Sequence, residues 1–350
     1  MQPSVYLKDA HLGGMGLAKV GNPLREESLQ TSKQLCHFDD DEAELLTHCF
    51  LKPFRALERH QFYDPEALAN NEVYAHAQTI FGNNDTLLER SSEIARHLYA
   101  KSKHPNIKSG DLCIGLLDNL IVDGEATQGL CIIKSESKVP FLQIAVQNND
   151  LHLVTQQGIY PDKIDKGCLI VNHATDDGFV VYVFDKAGGA THFWIRDFLG
   201  VIPADDDDYH TRRYSEMCVA FAEKGLPEIS SQQRVEIANR AFDYIADNEE
   251  FDLKEFKDNA LKEPELAEQF SEFKTAYEDE HGEQLNEKFL VVKNAAEKAQ
   301  KRLKARLKLD TGADIKFSSG FVKQSQQFLE RGFDEDKHMN FVKIYFHQEI

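Results

Sequence analysis

Between residues 111 and 186 the chain reads almost entirely as short β-rich runs: DLCIGLLDNLIVDGE, GLCIIKSESK, PFLQIAVQ, LHLVTQQGI, GCLIVNHA and GFVVYVFDK. Gly, Asp, Asn and Pro separate them at hairpin-like spacing. Segments this short and this rich in Val, Ile and Leu predict an antiparallel meander, and everything else in the chain must be arranged around it.

The flanks read differently. The first forty residues suggest short strands and turns, with glycines at 13, 14, 16 and 21. GGMGLAKVG is Gly-rich but lacks the spacing of a phosphate or dinucleotide loop, so a strand–turn role is expected. Helical signals begin at Asp39–Asp41, where acids suit a helix start, and continue in segments 65–81 and 85–103 before Pro105. THFWIRDFLGV predicts a helical turn. YHTRRYSEMCVAFAEKG predicts a helix with Tyr214, Met217, Cys218 and Phe221 inward.

LPEISSQQ contains Pro227 and marks a boundary, with Ser230 or Ser231 as a cap for the next helix. The expected fold class is α+β in two domains. Residues 1–225 would combine N-terminal helices with an antiparallel sheet. Residues 226–350 would form a C-terminal helical segment ending in a small sheet.

Charge divides the chain unevenly. The formal net charge is −19, which argues against a broad attraction to nucleic acid or to anionic lipid. Between Lys293 and Lys308, however, seven Lys or Arg face one acid, Glu297, so this segment carries +6 and the other residues −25. Up to about Lys301 the apolar positions Leu285, Phe289, Val292, Ala296 and Ala299 step as a helix face. From Arg302 to Leu309, RLKARLKL alternates strictly, predicting a strand whose outer face carries Arg302, Lys304, Arg306 and Lys308. IKF would pair with it. FVKQSQQFLERG predicts a short helix and NFVKIYF a last strand.

A cationic strand face has two readings. It can be a solvated edge guarded against aggregation, a common device. It can also contact phosphates, because alternate residues repeat about every 6.6–6.8 Å, close to the spacing of phosphates along one DNA strand. Such contacts would be salt-sensitive and would read little sequence.

Other chemistry is sparse. No P-loop, nucleophile elbow or HExxH motif occurs, and no cysteine pair among positions 36, 49, 113, 131, 168 and 218 has metal or redox spacing. No cofactor or bound metal is expected. One loose constellation, Asp123 followed by Glu136-x-Lys138, resembles the carboxylates and lysine of a Mg²⁺-dependent nuclease. The run Asp205–Asp208 could collect a divalent ion, but it more simply forms a charged helix entry, with Asp208 as the cap. No apolar stretch is long enough for a membrane helix, and the N-terminus has no signal-like pattern, so a cytoplasmic protein without membrane partners is expected.

NEVYAHAQTIF, RSSEIARHLYAKSKHPNIKSGDL, DKGCLIVN, THFWIRDFLGV with YHTRRY, and the C-terminal stretch from RLKARLKL to NFVKIYF together resemble the NdpA-type nucleoid-associated protein family of bacteria. The resemblance covers most of the chain. It implies a cytoplasmic protein associated with the nucleoid and with DNA, for which double-stranded DNA is the partner expected, and it brings neither a catalytic mechanism nor a DNA-contact motif.

The expectation is therefore a non-enzymatic DNA-binding protein. From charge pattern alone, Lys293, Lys298, Lys301, Arg302, Lys304, Arg306, Lys308 and Lys316 would contact phosphates, with Lys323 and Lys343 assisting. A homodimer would double those contacts. The alternatives are an adaptor whose acidic faces meet a DNA-processing enzyme, and the Mg²⁺-dependent nuclease.

Overall fold

Alternation within LCIGLL and LCIIKS sorts side chains onto two faces, and both faces are covered. The computed structural model describes residues 5–54, 58–147, 149–160, 163–175, 178–186, 193–226, 229, 231–302, 305–308, 311–312, 314–317, 328–335 and 337–348. It is an α+β structure with two compact units, Met1–Ala204 and Asp205–Ile350. The junction expected at 225/226 falls inside the second unit.

The first unit begins with β1 (Val5–Tyr6), β2 (His11–Val20), β3 (Leu29–Thr31), α1 (Asp40–Leu51), β4 (Arg59–Phe62), α2 (Glu72–Gly82) and α3 (Leu87–Lys101). The strand-rich region supplies β5 (Gly110–Val122), β6 (Glu125–Ser135), β7 (Lys138–Gln147), β8 (Asp150–Ile159), β9 (Lys166–Thr175) and β10 (Gly178–Asp185). A helical turn, Phe193–Leu199, and β11 (Val201–Pro203) follow. One antiparallel sheet runs β11-β4-β10-β9-β6-β5-β2-β3, with β1 beside the end of β5. Leu112, Ile114, Leu130, Ile132 and Ile170 pack under α2 and α3. Cys113, Leu117, Cys131, Ile133 and Leu169 face the layer holding α1. Gly16 lets α3 approach the sheet closely, since a Cβ there would lie 2.6 Å from the Ser91 Cβ.

The expected meander holds at its ends and fails in its middle. β6 pairs directly with β9, Ile132 opposite Cys168, and β7 with β8 forms a separate two-stranded ribbon inserted between them. The cause lies in the residues. β6 and β9 are apolar on both faces and belong inside a covered sheet, whereas β7 and β8 mix polar residues into both strands.

Local side-chain capping explains the starts of α1 and α2. Asp39 accepts from Glu42 N while Glu42 reaches back to the Asp39 amide, a full capping box for α1. α2 starts at Glu72, later than the expected 65, because Asn71 caps it and Asp64 instead closes a turn on the amides of Glu66 and Ala67.

The second unit holds α4 (Asp207–Ala220), which runs on through a wide turn at Phe221–Gly225, then α5 (Ser231–Asp247), β12 (Glu250–Asp252), α6 (Leu253–Phe256) and α7 (Pro264–His281). After these come β13 (Lys288–Leu290), α8 (Lys293–Arg302), the hairpin β14 (Ala305–Lys308) with β15 (Asp314–Phe317), and the hairpin β16 (Leu329–Asp334) with β17 (Met339–Ile344). Tyr214, Met217, Cys218 and Phe221 are buried, as the helical period requires. Aromatic rings fill this core: Phe251 stacks on Phe289 at 4.8 Å, and Tyr214 lies 4.3 Å from Phe251.

Two expectations change here. Leu285, Phe289 and Val292 do not lie on one helix with Ala296. Residues 288–290 form a strand on β12, which seats Phe289 against Phe251, and α8 starts only at Lys293. The helix expected over 321–332 is also revised: 321–327 lie outside the described residues, and LERG belongs to β16, paired with β17.

Candidate nucleic-acid interface

The cationic segment spans a helix and a strand. α8 carries Lys293, Lys298, Lys301 and Arg302. Its first turn presents exposed Lys293, while Ala295 and Ala296 are buried in the unit's core. Arg302 ends this helix and does not open the strand. Lys304 lies outside the described residues. The strand proper is Ala305–Lys308, and its register places Arg306 opposite Lys316 and Lys308 opposite Asp314. Of the expected eight-residue cationic strand, Arg302 belongs to the helix, residues 303, 304 and 309 lie outside the described residues, and IKF is the partner foreseen. Lys323 lies outside the described residues. Lys343 is already engaged, 3.1 Å from Glu330 and 4.6 Å above the Phe341 ring.

Each aspartate of the acidic run has a separate task. Asp205 sits 2.6 Å from His210 Nε2. Asp206 caps α4 by accepting from Tyr209 N at 2.9 Å, replacing Asp208 in the expected role. Asp207 Oδ1 accepts from Leu290 N at 3.0 Å, fastening β13 to the start of α4. Asp208 lies 3.9 Å from Arg212. Four neighbours thus point to four partners. Among the described residues no group of three or more His, Cys, Asp or Glu is placed to hold a metal ion.

The nuclease-like trio is not assembled. Asp123 and Gly124 form the left-handed turn between β5 and β6, with φ of 50° and 88°. Glu136 lies beyond the other end of the 11-residue β6, about 35 Å away at 3.2–3.4 Å per residue. Lys138 pairs with Asp111 at 3.1 Å. No shared ion can bridge that span.

Glu136 belongs instead to a buried ionic network that sequence reading missed. Lys134 is fully buried and donates to Glu136 Oε1 and to the Lys108 carbonyl, each at 2.7 Å. Lys166 donates to Asp185 at 2.7 Å and lies 3.7 Å from Glu136. Burial pulls the Lys134 amine below its ordinary pKa, and Glu136 opposes that pull. Asp165 accepts from the amides of Glu136 and Ser137 at 2.6 and 3.0 Å. These residues flank the ribbon, Glu136 and Ser137 entering β7 and Asp165 and Lys166 leaving β8. The network therefore clamps the ribbon's root.

The conspicuous motifs NEVYAHAQ, HPNIKSGDL and FWIRDFLGV are also structural. Asn71 caps α2 through Tyr74 N and donates to the carbonyls of Leu199 and Gly200 at 2.9 and 3.0 Å. Asn22 donates to the carbonyls of His104 and Ile107, both at 2.8 Å. Buried Trp194 donates to the Gly167 carbonyl at 3.3 Å.

A family model described as nucleoid-associated protein YejK matches residues 18–337. No curated protein and no solved structure matches the chain at a significant level.

Proposed function

The chain belongs to this nucleoid-associated YejK family, and from that premise we propose that it holds double-stranded DNA by the phosphate backbone, without performing chemistry on it. The contact segment is residues 293–308 with Lys316. The observation that carries this reading is the gathering of +6 into sixteen consecutive residues of a chain whose remainder is −25, on a helix and a strand whose register sets Arg306 opposite Lys316. Because charges farther apart than about 8–10 Å are screened at cellular ionic strength, a local cationic segment can engage phosphates on an acidic protein. In this reading the protein works in the cytoplasm, on the nucleoid. Among the described residues no helix is long and apolar enough to cross a membrane.

The acidity of the remainder favours a second reading, in which the chain is an adaptor for a basic DNA-processing enzyme. A mobility-shift assay of the purified protein on plain duplex separates the two. A direct phosphate binder retards the duplex alone and loses affinity steeply with salt. An adaptor leaves the duplex free until the enzyme is added.

A further inference from the structure

The β7–β8 ribbon presents a surface with no covering partner in its own sheet. It is a two-stranded sheet by itself. On one face, Leu142, Ile144, Val146, Leu151 and Leu153 are register neighbours, Ile144 opposite Leu153 and Val146 opposite Leu151. Each of the five is 67–71% exposed. An isolated hairpin is at best marginally stable in water, and an aliphatic face this open marks a contact surface. The buried ionic network anchors this ribbon at its root.

We propose that this face packs against the same face of a second copy of the chain, forming a small two-layer sandwich about a twofold axis. Charge selects the occupant. The segment 138–159 contains one Lys and one Asp, Lys138 and Asp150, so its net charge is zero while the whole chain carries −19. Phosphates would find only Lys138, already paired with Asp111. A basic partner would find only Asp150. Two copies repel over most of their surfaces and meet no charge at this one. Rows of Leu, Ile and Val are self-complementary at the roughly 10 Å spacing of packed sheets, and an isologous contact uses one patch twice.

Size sets the strength. Two ten-residue strands give a face of about 33 Å by about 10 Å, a flat footprint of about 330 Å² per copy. The two copies together cover about 660 Å², below the roughly 1,200 Å² at which stable specific interfaces begin, and the dimer is concentration-dependent. This inference does not rest on DNA contact.

Sedimentation equilibrium on the full chain, from low to high micromolar, tests it. The mass should rise toward twice 39.9 kDa. Ile144→Lys with Leu153→Lys should hold it at one chain with an unchanged circular dichroism spectrum. A dimer that persists in that folded variant, or a wild-type mass fixed at one chain, overturns the proposal. Hydrogen exchange on the wild type decides even if the variant misfolds. Amides in 139–158 should slow as concentration rises. Exchange that ignores concentration, or slows only when duplex DNA is added, overturns the proposal.

Discussion

At the residue scale, asparagines and buried thiols do structural work that a motif search presents as anonymous matches. Asn71 satisfies a helix amide and two carbonyls across 128 and 129 residues of sequence. Asn71→Ala is expected to cost about 1–3 kcal/mol, since it removes a cap and strands two acceptors. A thermal melt that does not move would contradict that. Gly200, with φ +61°, has no room for a side chain because a Cβ would lie 2.3 Å from Asn71 Nδ2, so Gly200→Ala should weaken the same joint. The thiols follow burial. Cys113 and Cys218 are pushed up to about 12, and Cys131 and Cys168 are also raised, all chiefly by desolvation. Cys49 is buried and Cys36 half-buried. In the native chain a thiol reagent should read one fast cysteine, Cys36, and the other five only on unfolding.

Tyr209 gives a pH prediction. Burial, and then its hydrogen bond to Glu283, raise its hydroxyl to about 12 from an ordinary value of 10. A raised folded value means that the folded state keeps its proton longer. The stability it contributes is complete below pH 10 and is lost as pH climbs from about 10 through about 12. Tyr209→Phe should therefore flatten the fall of the melting temperature across that window. An unchanged slope would show that this hydroxyl is not the coupled group.

At the element scale, period proved informative where burial was one-sided or complete. The apolar run around Leu112–Cys113–Ile114 foretold a strand, which the structure covers on both faces, and the four-three spacing of Tyr214, Cys218 and Phe221 foretold α4. Period failed where two elements share one apolar rhythm. Leu285, Phe289 and Ala296 step like a helix, yet a strand ending at Leu290 and a helix starting at Lys293 meet the same spacing. The pairing of β6 with β9 was not legible, because strand order is set by long-range burial and no local signal encodes it. The ionic network was equally hidden, because only the assembled sheet buries Lys134 and Lys166. Removing one partner of such a network leaves charge uncompensated. Glu136→Ala is thus expected to lower stability by about 3–5 kcal/mol, and a denaturant titration with an unchanged midpoint would contradict it.

Across the whole molecule, charge is segregated along the chain. The acidic run that opens α4 and the cationic run through α8 and β14 both lie in the second unit, in one chain of net −19. The sequence alone located the cationic run and the hairpin partner IKF. It misjudged where helix gives way to strand, because RLKARLKL satisfies a two-residue period over its full length while the helix extends through Arg302. The order expected, a helix followed by a strand paired with IKF, is kept, and Arg302 passes from the strand to the helix end.

The most direct test is the salt dependence of duplex binding, measured side by side for the wild type and for Lys304→Glu with Arg306→Glu. Each phosphate contact contributes about −0.9 to the slope of log K against log salt, so the double reversal should weaken binding and flatten that slope by at least about 1.8. The circular dichroism spectrum should stay unchanged. Wild-type binding with an equal slope in the folded variant would contradict a phosphate contact through this segment.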